Sequence, residues 1–446
     1  MEVIFTHCAG LVVHKKRITA CRAIPDPTGQ QTDRLMERKD FGTLTSELLA
    51  LSDWRSAAGI THVAMESTGE YWKPVFNLLA GPFQVLLVNA AHVKRVPGRK
   101  TGKADARWLA ELMRYGLLQA SFIPPEPQRD LRDLTRYCSK LVQERSREVN
   151  RVQGDLERAN IKLASVALDI MGASGWAILA ALVEGRTDPT MMADLAKGRL
   201  QSKLPQLEQA LTGLVRDHHR RLLAIQLAHL DFLEEQIDSL GGAIIHYLAE
   251  LSPAEPPALP GAGGSDVGTA VAESPRAVPM TFAQAIIILD SIPGIDRRGA
   301  ELLVAEWGIE MARFGTAGRL AAWTGVAPGN DESAGKHRSG KTRTGNRALR
   351  TGLTQMAHAA ARTNGTYLSA LYQRLAARRG KKRAIMAVAH AIVVSVFHML
   401  SRHEPYYDLG ATCFDGQRRH HLVDRLTRRL QRLGYCVTLE VVPTSA

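Results

Sequence analysis

The sequence predicts an α/β domain followed by a mostly α-helical remainder, and three observations carry that prediction. Strand-like and helix-like patterns alternate as far as Phe122; apolar residues then recur at heptad-like spacing; and a stretch dominated by Pro, Gly, Ala and Ser, from Ser252 to Pro279, precedes a second helical block. A chain of 446 residues exceeds one ordinary core, so several domains are expected.

Val3 to Val13 is β-branched and loosely alternating, and the pattern resumes at Ile18 to Ala23 after Lys15-Lys16, which reads as a hairpin. A helix is expected across Phe41 to Ala57. His62 to Met65 reads as a buried strand ending at Glu66-Ser67-Thr68-Gly69, Tyr71 to Leu79 as a helix, Phe83 to Val88 as a strand and Ala104 to Tyr115 as a helix. This alternation predicts a mixed sheet that ends before Pro124-Pro125. Glu66, at a strand end, and Asp105, in a first helical turn near Lys100 and Lys103, stand where such a sheet assembles a divalent-metal site. Two carboxylates hold Mg²⁺ while waters and substrate phosphates complete its octahedron. The same residues also read as an ordinary strand-end glutamate and a helix-capping aspartate.

From Gln128 the periodicity changes. Leu134, Cys138, Leu141, Val149, Val152, Leu156, Ala159 and Leu163 repeat at heptad-like spacing, as do Leu223, Leu227, Leu230, Ile237, Leu240 and Ile244. Two long helices around a compact insert, Met171 to Leu211, predict an antiparallel coiled-coil arm that either mediates oligomerisation or packs on its own domain. Residues 252–280 are expected to be a linker, too poor in apolar surface to order themselves.

The C-terminal block opens with a helix at Phe282 to Leu289 and then Ile292-Pro293-Gly294-Ile295-Asp296-Arg297. A tight Pro-Gly turn between two helices matches a helix-hairpin-helix, in which Gly294 and Arg297 would meet a phosphate; it also fits an unadorned helical hairpin. Ser333 follows in a stretch too rich in Gly and Pro to read as helix or strand, with Lys336, His337, Arg338, Lys341, Arg343, Arg347 and Arg350 close by. A hydroxyl among so many cations suits phosphate chemistry, because a serine attacking a phosphodiester needs positive charge on oxygens that become more negative. A basic loop that only grips a nucleic-acid backbone fits as well. Ala384 to Leu400 is nearly all apolar but short for a membrane span and carries His390, Ser395 and His398, so a buried core helix is expected and no membrane partner. The tail predicts a basic helix, Leu422 to Leu433, and a strand, Cys436 to Val442.

The net charge of +13 sits in clusters, at Arg95 to Lys103, Lys336 to Arg350, Arg378 to Arg383 and Arg418 to Arg432, which favours DNA or RNA as partner. The five cysteines are scattered with no CxxC pair, which argues for a reducing compartment and against a zinc site. The N-terminus lacks the pattern of a signal peptide, so export is not expected.

With both ends in view, the chain resembles insertion-sequence transposases of the IS-one-ten and IS-eleven-eleven type along nearly its whole length. The resemblance rests on Gly10-Leu11-Val12-Val13-His14-Lys15-Lys16, Ala64-Met65-Glu66-Ser67-Thr68-Gly69, Val93 to Leu109, Ile292 to Gly308 and Gly325 to Arg350. It implies a RuvC-like, RNase H-fold domain over residues 1–123, a coiled-coil arm over 124–251, the linker, a transposase domain with a nucleophilic serine over 281–410, and a basic tail over 411–446. It further implies DNA recombination in the bacterial cytoplasm at the nucleoid, by a homo-oligomer (dimer or tetramer) guided by an element-encoded RNA. Ser333 falls on the family's serine, and Glu66 and Asp105 on its second and fourth metal-binding acids, which makes them catalytic candidates. The first and third acids fall on Val12 and Gly102, neither of which offers a side-chain oxygen to a hard cation. Asp26, Asp33 and Asp40 are other acids in that domain. The resemblance therefore admits an active recombinase or an inactive nucleic-acid-binding remnant; a junction nuclease using the N-terminal domain alone would need all four acids.

Overall fold

The structure, a computed structural model, describes residues 2–26, 35–67, 69–93, 105–251, 280–329, 331–333, 336–340, 342, 345–416 and 419–439. It divides into two units, Met1–Pro124 and Pro125–Ala446.

The first unit is built on a mixed five-stranded sheet of order β3-β2-β1-β4-β5. β1 (Cys8–Val13), β2 (Ile18–Ile24) and β3 (Leu35–Phe41) run antiparallel, whereas β4 (His62–Ser67) and β5 (Gln84–Val88) lie parallel to β1. α1 (Thr45–Ser56), α2 (Trp72–Leu79), the short α3 (Ala90–Val93) and α4 (Asp105–Arg114) complete the unit. The alternation of strand side chains sorts them between two cores. Leu11, Val13, Val63 and Met65 join the cluster that holds Leu48 and Leu51 of α1 and Leu79 of α2. Cys8 and Ala64 join Leu109, Ala110 and Met113 of α4, with Val12 packed at its margin. α4 comes closest at Gly10, where a Cβ would stand 2.2 Å from the Ala106 carbonyl oxygen and 2.5 Å from the Ala110 nitrogen. This arrangement is consistent with an RNase H-like domain.

The sequence missed β3 and began a helix at Phe41; Phe41 instead ends β3, and the helix begins at Thr45. β3 is an edge strand whose Glu37, Arg38, Lys39 and Asp40 are partly or fully exposed, and such charge on an edge erases the apolar alternation that marks a strand.

In the second unit, α5 (Glu126–Arg158) and α10 (Asp217–Glu250) lie side by side. Arg145 pairs with Glu234, Gln226 donates to Asp155 and Tyr247 donates to Asp130. Partner numbers rise on one helix as they fall on the other, so the pair is antiparallel. At one end, α6 (Leu163–Val166), α7 (Ala173–Val183), α8 (Pro189–Ala193) and α9 (Leu204–Leu211) enclose a small core with Val152, Leu156, Leu223 and Leu230. At the other end, Leu131, Cys138, Leu141, Leu233, Ile237 and Ile244 merge into the C-terminal core.

That core consists of α11 (Phe282–Asp290), α12 (Arg297–Trp307), α13 (Ala317–Thr324), the strand pair β6 (Asp331–Ser333) and β7 (Lys336–Ser339), α14 (Arg347–Arg362), α15 (Tyr367–Arg379) and α16 (Lys381–Arg402). Among the described residues α16 is the one helix long and apolar enough to cross a membrane. It is the central helix of this core, packed by α11, α13, α14 and α15 and burying Val388, Ile392, Val393 and Val396. Of the expected linker, residues 252–279 lie outside the described residues, while Met280 is buried in the C-terminal core. The tail forms α17 (Cys413–Gly416) and α18 (Arg419–Arg432). The strand expected from Cys436 does not form over 436–439, where Leu439 is 60% exposed and no described strand pairs with it; residues 440–442 lie outside the described residues.

Candidate active site

In the first unit the sheet register brings two of the expected acid positions, 12 and 66, side by side. Glu66 of β4 is the direct parallel neighbour of Val12 of β1, and strand spacing sets residues so paired about 5 Å apart on one face. That face is the α4 face, since Gly10 and Ala64, two residues earlier on each strand, both lie toward α4. Asp105 is the first residue of α4, and its half-buried carboxylate has an Oδ1 atom that is shut off from solvent and accepts no hydrogen bond among the described residues. Glu66, also half-buried, and Asp105 thus belong to one face, with Val12 between β2 and Glu66 at the position where the resemblance expects a further acid.

Among the described residues no group of three His, Cys, Asp or Glu side chains gathers closely enough to hold a metal ion. Val12, the register neighbour of Glu66, offers no side-chain oxygen. Gly102, Lys100 and Lys103 lie outside the described residues. Asp40 does not replace the missing ligand. It shares the row Val12, Thr19, Asp40 across β1, β2 and β3, but β2 stands between it and β1, so that the two positions are about 10 Å apart, and its carboxylate sits 3.5 Å from the Arg38 guanidinium. Asp26 follows the far end of β2, and Asp33 lies outside the described residues.

In the second unit Ser333 is not in an irregular loop. It ends β6 and pairs with Lys336, the first residue of β7, and a register shift between Asp331 and Glu332 leaves Asp331 opposite Ser339. Of the glycines and prolines that suggested a loop, Pro328, Gly329 and Gly340 flank the two strands and interrupt neither, while Gly335 lies outside the described residues. Lys336, His337 and Arg338 therefore share one short ribbon with Ser333. Lys341 and Arg343 lie outside the described residues.

Both stems of this segment are held. Gly345 rests on the backbone of Thr324 and Gly325, where a Cβ would come within 2.5 Å, and the Trp307 indole donates to the Thr324 hydroxyl at 3.1 Å. Asn346 caps α14, its Oδ1 accepting from the amides of Ala348 and Leu349. Arg347 is exposed and Arg350 half-buried one turn on, at a helix start with no acid in its first turn, so the macrodipole adds to their positive field.

The Pro-Gly turn is more enclosed. Gly294, at φ +88°, packs against the backbone of Ala360, where a Cβ would fall 2.2 Å from its nitrogen. Asp296 caps α12 by accepting from Gly299, Arg297 pairs with Glu301 at 3.0 Å, and Arg298 pairs with Asp238. Of the two residues expected to face a phosphate, Arg297 is thus paired within the unit.

Sequence reasoning missed Glu306, Arg132 and Arg136. The Glu306 carboxylate is fully buried and accepts from Arg136 Nε and Nη2 and from Asn346 Nδ2, the last at 2.7 Å. Arg132 sits 3.4 Å from the same carboxylate and donates to the Ala305 and Glu306 carbonyls. Burial pulls the Arg132 guanidinium down to about 10, against the opposing pull of Glu306. Partners 170 residues apart leave no local signal, although Asn346 before a helical pattern is itself a capping signal.

Comparison with known families accounts for both units. A transposase model of the DEDD, IS110 type matches residues 9–161, a span that includes Val12, Glu66 and Asp105. The model of the transposase IS116/IS110/IS902 family matches residues 287–373, which include Gly294, Ser333 and Arg350. No curated protein matches the chain. The DEDD class points to a divalent-metal dependence, and the transposase class to DNA as the substrate. With family matches at both ends, the chain is a DNA transposase of the IS110 family.

Proposed function

We propose that this transposase cuts and rejoins the DNA of its insertion sequence through Ser333, as a homo-oligomer guided by an RNA that the element encodes. The observation that carries the reading is the pairing of Ser333 with Lys336 at the head of a basic ribbon, inside the stretch matched to the transposase family. In the first step the Ser333 hydroxyl oxygen bonds to phosphorus as the bond from phosphorus to the leaving sugar oxygen breaks. The serine proton passes to solvent, and the leaving oxygen takes one up. A hydroxyl end of the partner strand then attacks the phosphoserine and restores the serine. Lys336, Arg338, Lys341, Arg343, Arg347 and Arg350 hold the phosphates and offset the charge that grows on their oxygens.

Glu66 and Asp105 are the remaining members of a RuvC-type acid set. Two carboxylates with open positions suit Mg²⁺, but Val12 leaves the set incomplete. The same valine favours a second reading, in which this copy binds DNA at the element's ends without recombining it.

Ser333→Ala tests the serine assignment in a background with Val12→Asp and Gly102→Asp. Joined-end formation should vanish while DNA binding stays nearly unchanged, because one hydroxyl is lost among many phosphate contacts. Recombination at the background rate would remove Ser333 from the mechanism.

A further inference from the structure

The geometry points to Glu306 as a positioning residue that ties the base of the α5–α10 pair to the return stem of the Ser333 segment, through Arg132 and Arg136 on one side and Asn346 on the other. The inference rests on the reading of that segment as the reactive one.

Three observations converge. Glu306 is buried near the end of α12, and a buried carboxylate persists as a charge only where donors surround it. Its donors come from two separate directions: Arg132 and Arg136, one turn apart on α5, and Asn346, the last residue before α14. Asn346 in turn divides its amide between two tasks, Oδ1 capping α14 and Nδ2 donating to Glu306. The cap, and with it the start of α14 that carries Arg347 and Arg350, is therefore oriented by a carboxylate whose own position is set by α5. Gly345 adjoins this anchor and is pressed on the Thr324–Gly325 backbone, so the return stem is held by a hydrogen bond and a close packing contact in consecutive residues. An asparagine that only capped a helix would need no buried carboxylate behind it.

The test exchanges donor and acceptor. Asn346→Asp keeps a good N-cap but turns the donor into a second carboxylate facing Glu306. Glu306→Gln with Asn346→Asp restores the bond in reverse, the glutamine amide donating to the aspartate. Amide hydrogen exchange on the full chain reads the outcome without any chemistry. Asn346→Asp should speed exchange in peptides spanning 336–346 by about tenfold or more, the loss expected for a hydrogen bond to a charged group, while the interior of α14 keeps its slow exchange. The double variant should recover most of that protection, whereas Glu306→Gln alone should not gain it. Should Asn346→Asp loosen the whole unit, recovery of melting temperature in the double variant carries the same information. Parent-like exchange in Asn346→Asp, or single effects that simply add in the double variant, would overturn the inference. Failure of the serine assignment is separable: it leaves the exchange pattern intact and shows only as undiminished recombination by Ser333→Ala.

Discussion

The residues proposed for catalysis in the two units are positioned by different means. In the first unit the acid positions are fixed by sheet register: β1 and β4 pair residue for residue, so position 12 stands beside Glu66 whatever side chain it carries. In the second unit the serine and its cations are contiguous in sequence, but the stem that returns from them is held by Glu306, Arg132 and Arg136 from distant elements. A register-built site keeps its shape when its chemistry is lost, which is how the resemblance reads Val12. A site held by distant ion pairs can lose its placement while every reactive residue remains. Under the proposed function the chain would combine the two conditions, a frame short of a ligand and a local set that depends on remote support.

The largest effect expected of a single change is on the frame. Gly10→Val would drive a side chain into the Ala106 and Ala110 backbone and push α4, with Asp105, off the sheet. Overpacking against backbone predicts a loss of about 3 kcal/mol in the first unit alone. Alkylation of Cys8 and Cys21, both buried there, during urea unfolding would report it, while Cys138 reports on the second unit. Equal losses in both units would end the claim that the two are held by separate means.

A smaller effect in the first unit depends on pH. Burial pushes the Cys8 thiol up to about 12 and Cys21 up to about 11, from an ordinary value of 9.0. The folded first unit keeps both protonated, whereas the unfolded chain releases the protons near pH 9. Their contribution is thus whole below pH 9 and falls as pH rises through 11 to 12. Unfolding of the first unit followed from pH 8 to 11 should show this decline, and Cys8→Ala with Cys21→Ala should flatten it. An unchanged slope in that variant would place the alkaline sensitivity elsewhere.

The smallest effect concerns the phosphate grip. Arg347→Ala should weaken binding to every DNA sequence alike and reduce the salt dependence by about one unit of slope, since a phosphate contact releases counterions without reading bases. A lost preference for one sequence at unchanged slope would make Arg347 a base reader.

Legibility in the sequence follows the same division. β1, β2, β4, β5 and the long helices are visible because apolar period and burial agree there, and Glu66 and Asp105 stand out at element ends. β3 is hidden because its exposed edge carries charge in place of apolar alternation. The ribbon of Ser333 and Lys336 reads as a loop because glycine and proline crowd its flanks. Glu306 is invisible, since a buried carboxylate is explained only by partners that the fold delivers.

The most direct test of the account is a Mg²⁺ titration of four chains: the parent, Val12→Asp, Gly102→Asp and the double variant. Register puts a carboxylate at position 12 beside Glu66, and even outer-shell losses at metal sites cost tenfold or more in affinity, so the double variant should bind at least about tenfold tighter than the parent. Each single variant should fall between them, being still one ligand short. Binding by the parent as tight as that of the double variant would contradict the account, because Glu66 and Asp105 would then have ligands other than positions 12 and 102.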